Sequence, residues 1–322
     1  MKRIPLGSGL AALLLVFAIG GSAIAADQYP SKPIRIIVPV PPGGAIDVTT
    51  RLYAQKMSEK LGQPIIVDDR PGGDTLLGTR LVKNSPPDGY TILAQSDAFY
   101  ITPLLKLDPG YDPLVDFIPI SPMLRGPLVV EVGSQEPDKT LKDFIARARA
   151  TPLSYASPGI GSPPHIATEL ILKKVGLKMT HLPYKGAAAA YPDVAGGRVP
   201  IMLDGYLGSA PHIKAGEFRA LALTSPKRIT PEPDIPTLIE QGVDLSYTYW
   251  LGLLVPAGTP KDVVDRLAEA MQYASESKDL KERMISEGSD PTQMKPQEFK
   301  DYIAKQIVEV TQLVTDLNLP KQ

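Results

Sequence analysis

Short apolar runs of strand length alternate with helix-length segments along most of the chain, and this alternation admits little besides a parallel or mixed sheet of βαβ units. Two segments share one local design: a strand, a Pro/Gly-rich loop, then a helix start. The first is Ile34–Val40 running into Pro41-Pro42-Gly43-Gly44. The second is Leu153–Ser157 running into Pro158-Gly159-Ile160-Gly161-Ser162-Pro163. Glycine lets backbone N–H groups approach a ligand closely, and an open helix N-terminus carries roughly half a positive charge. Each loop is therefore a candidate anion cradle, and two cradles predict one ligand gripped by two closing lobes.

The 34 prolines are spread as punctuation between apolar strands rather than gathered into a linker. After the first loop, the pattern predicts a helix over 46–61, a strand over 64–67, a helix over 76–84 and a strand over 90–94. A second unit opens at Leu128–Val132, followed by a helix over 141–149 and the second cradle. It continues with a strand over 181–184, a helix over 187–195 stopped by Gly196-Gly197, and strands over 199–203 and 220–224. A strand over 251–255 then leads into helices over 260–277, 280–287 and 296–317, which have no strands of their own to cover. The expected organisation is α/β with two lobes: residues 26–126 and 248–322 in a discontinuous first domain, 127–247 in the second, and two crossover strands as hinge.

Residues 1–25 read as a secretory signal peptide: Lys2 and Arg3, an apolar core from Leu10 to Ile19, and small residues ending in Ala23-Ile24-Ala25. That core is too short to span a bilayer, so the expected location is the periplasm, as a soluble exported chain. With no cysteine, the sequence excludes disulfides, thiolate metal sites and a lipid-modified cysteine. A formal net charge of −1 gives no reason to expect nucleic acid or an anionic membrane surface as partner. Any anion recognition has to be local.

Catalytic signatures are missing: no Gly-x-Ser-x-Gly elbow, no phosphate loop and no intact Gly-x-Gly-x-x-Gly occurs. The three histidines, His165, His181 and His212, do not stand at metal-helix spacing, so no metal or cofactor is expected. In the second loop, Ser162 is placed to cap a helix that opens on Pro163, leaving the N–H groups of Gly159, Ile160, Gly161 and Ser162 to face a carboxylate. His165 joins the candidate contacts there, and Ser157 enters from the strand. In the first loop Pro41, Pro42, Gly43, Gly44, Ala45 and Ile46 offer the same arrangement, with Asp47 in the first helical turn. Asp47 either meets the ligand or only complements the helix dipole. Ligands of open α/β sheets sit beyond the carboxyl ends of strands, which adds Ser96, Tyr184 and Asp204. Two roles fit Asp204: accepting from a ligand hydroxyl or amine, or tying down its own loop. Trp250, the only tryptophan, is read as hinge or core packing.

These residues resemble the extracytoplasmic solute receptors of tripartite tricarboxylate transporters, often called Bug receptors. The resemblance spans the mature chain and rests on Tyr29-Pro30-Ser31-Lys32-Pro33-Ile34, Val38–Gly44 with Asp47, Pro87-Asp88-Gly89-Tyr90-Thr91, Asp116-Phe117, Ser157–Ser162, Pro183-Tyr184-Lys185-Gly186, Pro236-Thr237, and Trp250 before Val255–Pro260. It implies a periplasmic-binding-protein fold of type II, with a carboxylate held by backbone amides and ordered water between lobes. Val40 stands where a phenylalanine is usual in that family. Arg70-Pro71-Gly72-Gly73-Asp74-Thr75 likewise replaces a more glycine-rich turn.

The expected function is capture of a di- or tricarboxylate, or an aromatic carboxylate, by a monomer that passes it to integral-membrane transporter subunits. Two alternatives stand beside it. One is a receptor read by a membrane sensor kinase; the other is an exported hydrolase, for which the sequence displays no nucleophile–base pair.

Overall fold

The structure, a computed structural model, describes residues 29–316 and residue 321. The predicted signal peptide lies outside the described residues. The chain opens with β1 (Ile34–Val38), α1 (Ala45–Leu61), β2 (Ile65–Asp69), α2 (Leu76–Lys83), β3 (Thr91–Ser96) and α3 (Ala98–Leu105). A 17-residue strand, β4 (Phe117–Gly133), leads into α4 (Leu141–Ala150), β5 (Ser154–Ser157), α5 (Pro163–Val175), β6 (Thr180–Pro183) and α6 (Ala187–Ala195). Next come β7 (Met202–Gly205), α7 (Tyr206–Lys214), β8 (Phe218–Leu223) and β9 (Thr248–Pro256). The chain closes with α8 (Lys261–Glu276), α9 (Lys278–Ser286), β10 (Asp290–Pro291) and α10 (Pro296–Asp316).

The strands form one mixed sheet in the order β2-β1-β3-β9-β4-β7-β5-β6, with β8 and β10 also paired to β4. β1 pairs in parallel with β2 and β3, and β5 in parallel with β6 and β7, so each half holds a parallel unit. The antiparallel strands β4 and β9 join the halves, running side by side from Phe117↔Pro256 to Pro127↔Thr248. Ile34, Ile36, Ile37 and Val38 have no exposed surface, as expected of a parallel strand covered on both faces. The closing helices turn back onto the first half, α8 against α1 and β4, and α10 against β4 and α3.

Three elements depart from their sequence reading because of proline. β4 begins eleven residues before the predicted Leu128 because Pro119, Pro122 and Pro127 look like breakers; the ladder instead shifts register between Pro119 and Ser121 and between Pro122 and Leu124. α3 and α7 were hidden by Pro103 and Pro211, which lie inside them. The strand predicted over 199–203 starts only at Met202 and runs to Gly205. Helix ends follow local chemistry: Thr140 and Asp143 form a capping box on α4, and Gly62 and Gly176 close α1 and α5 in the left-handed conformation.

Trp250 is fully buried where β9 crosses, 5.0 Å from the Phe299 ring and 6.3 Å from that of Tyr100. Its place is core packing under α10 and α3. Trp250→Ala should cost about 3–5 kcal/mol, read as a lower urea midpoint. Among the described residues no helix is long and apolar enough to cross a membrane.

Candidate functional site

The first loop leaves β1 and enters α1 at Gly44, an N-cap with extended backbone and no side chain bonded over it. Pro41 and Pro42 have no amide hydrogen, and the Gly43 N–H is taken by Asp47 Oδ2 at 2.8 Å. The N–H groups of Gly44, Ala45, Ile46 and Asp47 find no acceptor among the described residues. They are the orphan donors of a helix start, and the loop above them is exposed. A carboxylate in the first turn would ordinarily cancel the helix dipole for an incoming anion. Here Arg51 Nε lies 2.5 Å from Asp47 Oδ1, but the same guanidinium also meets Asp69 at 2.7 Å, so one cation shared by two carboxylates offsets the charge of Asp47 only in part while Asp47 braces the loop. Asp47 and Ile46 are themselves buried.

The second loop corrects an expectation. Its N–H groups are not free: Gly159 N–H points to Ser157 Oγ at 3.2 Å, Gly161 N–H to His165 Nδ1 at 3.1 Å, and Ser162 N–H to Gly159 O at 3.2 Å. Ser162 does cap α5 through the His165 N–H, but the first two helical positions are Pro163 and Pro164, which bring no donors. Of the loop's N–H groups, that of Ile160 alone has no acceptor among the described residues. The two loops are alike in sequence and unlike in donor supply.

A chain of contacts nevertheless connects them. A Cβ on Gly161 would lie 3.1 Å from Leu105 Cδ1 and 3.6 Å from Ile101 Cγ2, and one on Gly159 would lie 3.9 Å from Asp74 Oδ1. The second loop therefore rests on α3 and on the turn before α2. That turn is tied to the end of β3 by Gln95, whose Nε2 donates to Thr75 Oγ1 at 3.0 Å, and α2 packs at Gly78 against Pro39, two residues before the first loop. Asp74 and Thr75 have φ of 53° and 76°, a conformation that costs non-glycine residues about 1–3 kcal/mol, at the place where the resembling family is richer in glycine.

Ser96 ends β3 at this edge, with its Oγ accepting from the Ala98 N–H at 3.3 Å. Tyr184 follows β6, and its hydroxyl donates to Asp193 at 2.6 Å. Asp204, near the end of β7, accepts from Tyr191 OH; burial raises its carboxyl from the usual range to about 6. Of the two roles foreseen for Asp204, tying down its surroundings is the one with a contact to support it. A groove of about 920 Å³ lies elsewhere, between α5, the 225–230 turn and α10, with Arg125, Tyr247 and Tyr302 in its wall and none of the loop residues.

His165 is buried, stacked on His181 at 4.1 Å, while His181 stacks on Tyr155 at 4.9 Å. Burial lowers His165 to about 3, and it lowers His181 to about 4, so both rings are neutral at physiological pH. The sequence showed no nucleophile–base pair, yet Ser157 Oγ sits 2.6 Å from His181 Nε2. The contact is not arranged for catalysis: Ser157 has no exposed surface, and no carboxylate orients His181 among the described residues. The stack shapes the second loop from beneath.

Sequence reading missed two buried acids. Glu131 stands inside the apolar run Leu128–Val132, fully buried, with neither carboxylate oxygen hydrogen-bonded. Asp97 sits between β3 and α3, at 2% exposure. A charged residue in a buried strand was a visible signal for Glu131; Asp97 stands in the segment Gln95–Phe99 at the end of a predicted strand, where Ser96 alone was taken as a candidate.

Residues 49–319 match the tripartite tricarboxylate transporter family receptor. Solved structures agree in fold. The periplasmic binding protein BugD is 30% identical with a TM-score of 0.85, covering 91% of this chain and 100% of its own. A Rhodopseudomonas palustris protein with adipate is 31% identical with a TM-score of 0.86, covering 90% of this chain and 98% of its own. MatC of Rhodopseudomonas palustris, with bound malate, is 26% identical with a TM-score of 0.83 over 89% of this chain and 100% of its own. The two-halved α/β architecture is thus that of periplasmic binding proteins. The chain belongs to the tripartite tricarboxylate transporter receptor family.

Proposed function

We propose that this chain is a periplasmic receptor that captures a small organic carboxylate between two lobes, residues 26–126 with 248–322 and residues 127–247, and presents it to a membrane transporter. The observation that carries the reading is the row of N–H groups from Gly44 to Asp47 that have no acceptor among the described residues, with the charge of Asp47 partly offset by Arg51. Preorganised amide donors at a helix start hold negative oxygens without a cationic side chain. The adipate and malate in similar proteins support a dicarboxylate as the ligand class. One carboxylate sits at α1; the other end of the ligand reaches the second loop, where Ile160 N–H is the remaining backbone donor and water bridges the rest. Differential affinity for the closed arrangement is what shifts the population.

Calorimetry with a series of acyclic, cyclic and aromatic carboxylates is the direct test. At least one dicarboxylate should bind. A blank across the series, with folded protein verified by circular dichroism, would contradict the reading.

A further inference from the structure

The turn between β2 and α2 passes through Gly73, Asp74 and Thr75 at φ of 56°, 53° and 76°, three left-handed residues in succession. Only the first is a glycine. Residues with side chains resist that conformation, so the surrounding structure has to hold them in it. It does so from two sides. The buried Gln95 donates from Nε2 to Thr75 Oγ1 at 3.0 Å, and Lys106 Nζ lies 2.7 Å from Asp74 Oδ2. The Lys106 side chain is 17% exposed, which makes the ion pair a fixed part of the turn rather than a solvated surface contact.

The turn stands between the two loops. At its start Arg70 donates its N–H to Val38 O at 2.7 Å, and just beyond it Gly78 packs on Pro39, so it is moored to the strand end from which the first loop leaves. On the other side, Asp74 Oδ1 lies 3.9 Å from the point where a Cβ on Gly159 would stand. A ligand that reaches from the α1 donors to the second loop therefore has Asp74 beside its path.

Two kinds of hydrogen-bonding group are left over at this point. Lys106 engages Asp74 Oδ2, while Oδ1 accepts no hydrogen bond among the described residues and the side chain is 42% exposed, open to an incoming group. The main-chain N–H groups of Asp74 and Thr75 likewise have no acceptor among the described residues. An acceptor and donors side by side suit a hydroxyl, which gives one hydrogen bond and takes another. An ammonium can only donate, and it would bring a second cation against a carboxylate already paired with Lys106. A methylene makes none of these bonds.

We propose that Asp74 is a specificity-determining residue that accepts a hydrogen bond from a ligand hydroxyl, so that this receptor prefers hydroxy-substituted dicarboxylates to unsubstituted ones. The inference rests on the receptor reading above and narrows its ligand class. Lys106 has a supporting part: it offsets the charge of Asp74, which lets an acid stand beside an anionic ligand, and it fixes which oxygen is left to meet the hydroxyl.

Calorimetry on matched pairs tests the assignment: malate against succinate, hydroxyglutarate against glutarate and hydroxyadipate against adipate, with aspartate as the amino analogue of malate. At the chain length that binds, the hydroxy acid should bind about tenfold tighter, the gain expected from a hydrogen bond to a charged and partly exposed acceptor. Asp74→Gly removes the carboxylate and suits the left-handed backbone, so the fold persists and the preference should shrink to about twofold or less. Asp74→Asn is also tolerated in that conformation and keeps a neutral, weaker acceptor, so its preference should fall between the two. Equal affinity within every pair, a preference undiminished in Asp74→Gly, or aspartate bound more tightly than malate overturns the assignment. In each of those results dicarboxylates still bind and the receptor reading stands. A blank with every pair defeats the receptor reading, and the role of Asp74 with it.

Discussion

Gly161→Val should reduce ligand affinity by on the order of a hundredfold or more, about 2.7 kcal/mol, while the protein still folds. Two costs coincide at this position. The backbone stands at φ +77°, which a β-branched residue adopts only with strain of about 1–3 kcal/mol, and the new Cβ would press within 3.1 Å of Leu105 Cδ1. The loop yields by moving off α3, carrying Ile160 and Ser162 with it, so the proposed ligand contact of the second loop is displaced. Gly43→Val works differently. There φ is +86° and nothing lies within 4 Å, so the side chain is sterically free but stands over the donors of α1. Gly216→Ala is the control: φ is +72° in open space and far along the chain from either loop, so stability falls slightly and affinity does not. Calorimetry with a bound carboxylate, beside thermal melts of the same samples, separates these outcomes. Normal binding by both loop variants would refute the assignment of the loops.

Glu131→Met should raise stability at neutral pH by about 1–3 kcal/mol, an unusual result for a change in a buried strand. Glu131 lies on β4 with no exposed surface and no hydrogen bond to either oxygen. Burial first, then the nearby charge of Asp204, drives its carboxyl well above the ordinary glutamate range. The sign follows from that shift. The folded protein binds the proton more tightly than the unfolded chain, so the parent is most stable in acid. It loses stability as pH rises from the ordinary glutamate range toward the raised value. Methionine fills a similar volume and has nothing to ionise. Urea unfolding at several pH values should show a slope in the parent that is reduced in Glu131→Met and equally in Glu131→Gln. A methionine variant less stable than the parent at neutral pH would mean that Glu131 has a partner in solution that compensates its burial.

The features that could be read from sequence are those set within a few residues. The start of α1 is one: two prolines, two glycines and an apolar helix face specify an open N-terminus without help from the rest of the fold. The α/β alternation, the helix over Ala187–Ala195 and the return of the last three helices to the first half are similar cases. The donor shortage of the second loop was half legible. Pro163-Pro164 announces that α5 begins without amide hydrogens, but the capture of Gly161 N–H by His165 depends on how the imidazole packs under the loop. Prolines misled most. Pro119 and Pro122 concealed a strand that absorbs them as bulges, and Pro103 and Pro211 concealed helices held by tertiary packing. The Asp97–Tyr247 bond joins residues 150 apart, and no local pattern encodes such a contact.

Burial also explains why Ser157 and His181 remain a structural pair. A serine hydroxyl beside an imidazole has the elements of a nucleophile and a base. With no exposed surface, the Ser157 hydroxyl cannot reach an external carbonyl, and burial that lowers the His181 ring to about 4 leaves it a weak base toward that hydroxyl. Ser157→Ala should therefore loosen the second loop and weaken carboxylate binding without removing any turnover.

The most direct measurement is a crystal structure with a bound dicarboxylate. One carboxylate should accept from the main-chain N–H groups of Gly44, Ala45 and Ile46, with Asp47 still paired to Arg51 and the second loop closing over the other end. A ligand found in the groove beside Arg125 and Tyr302, or a carboxylate held by a lysine or arginine side chain with the α1 amides facing bulk water, would contradict recognition by the helix start.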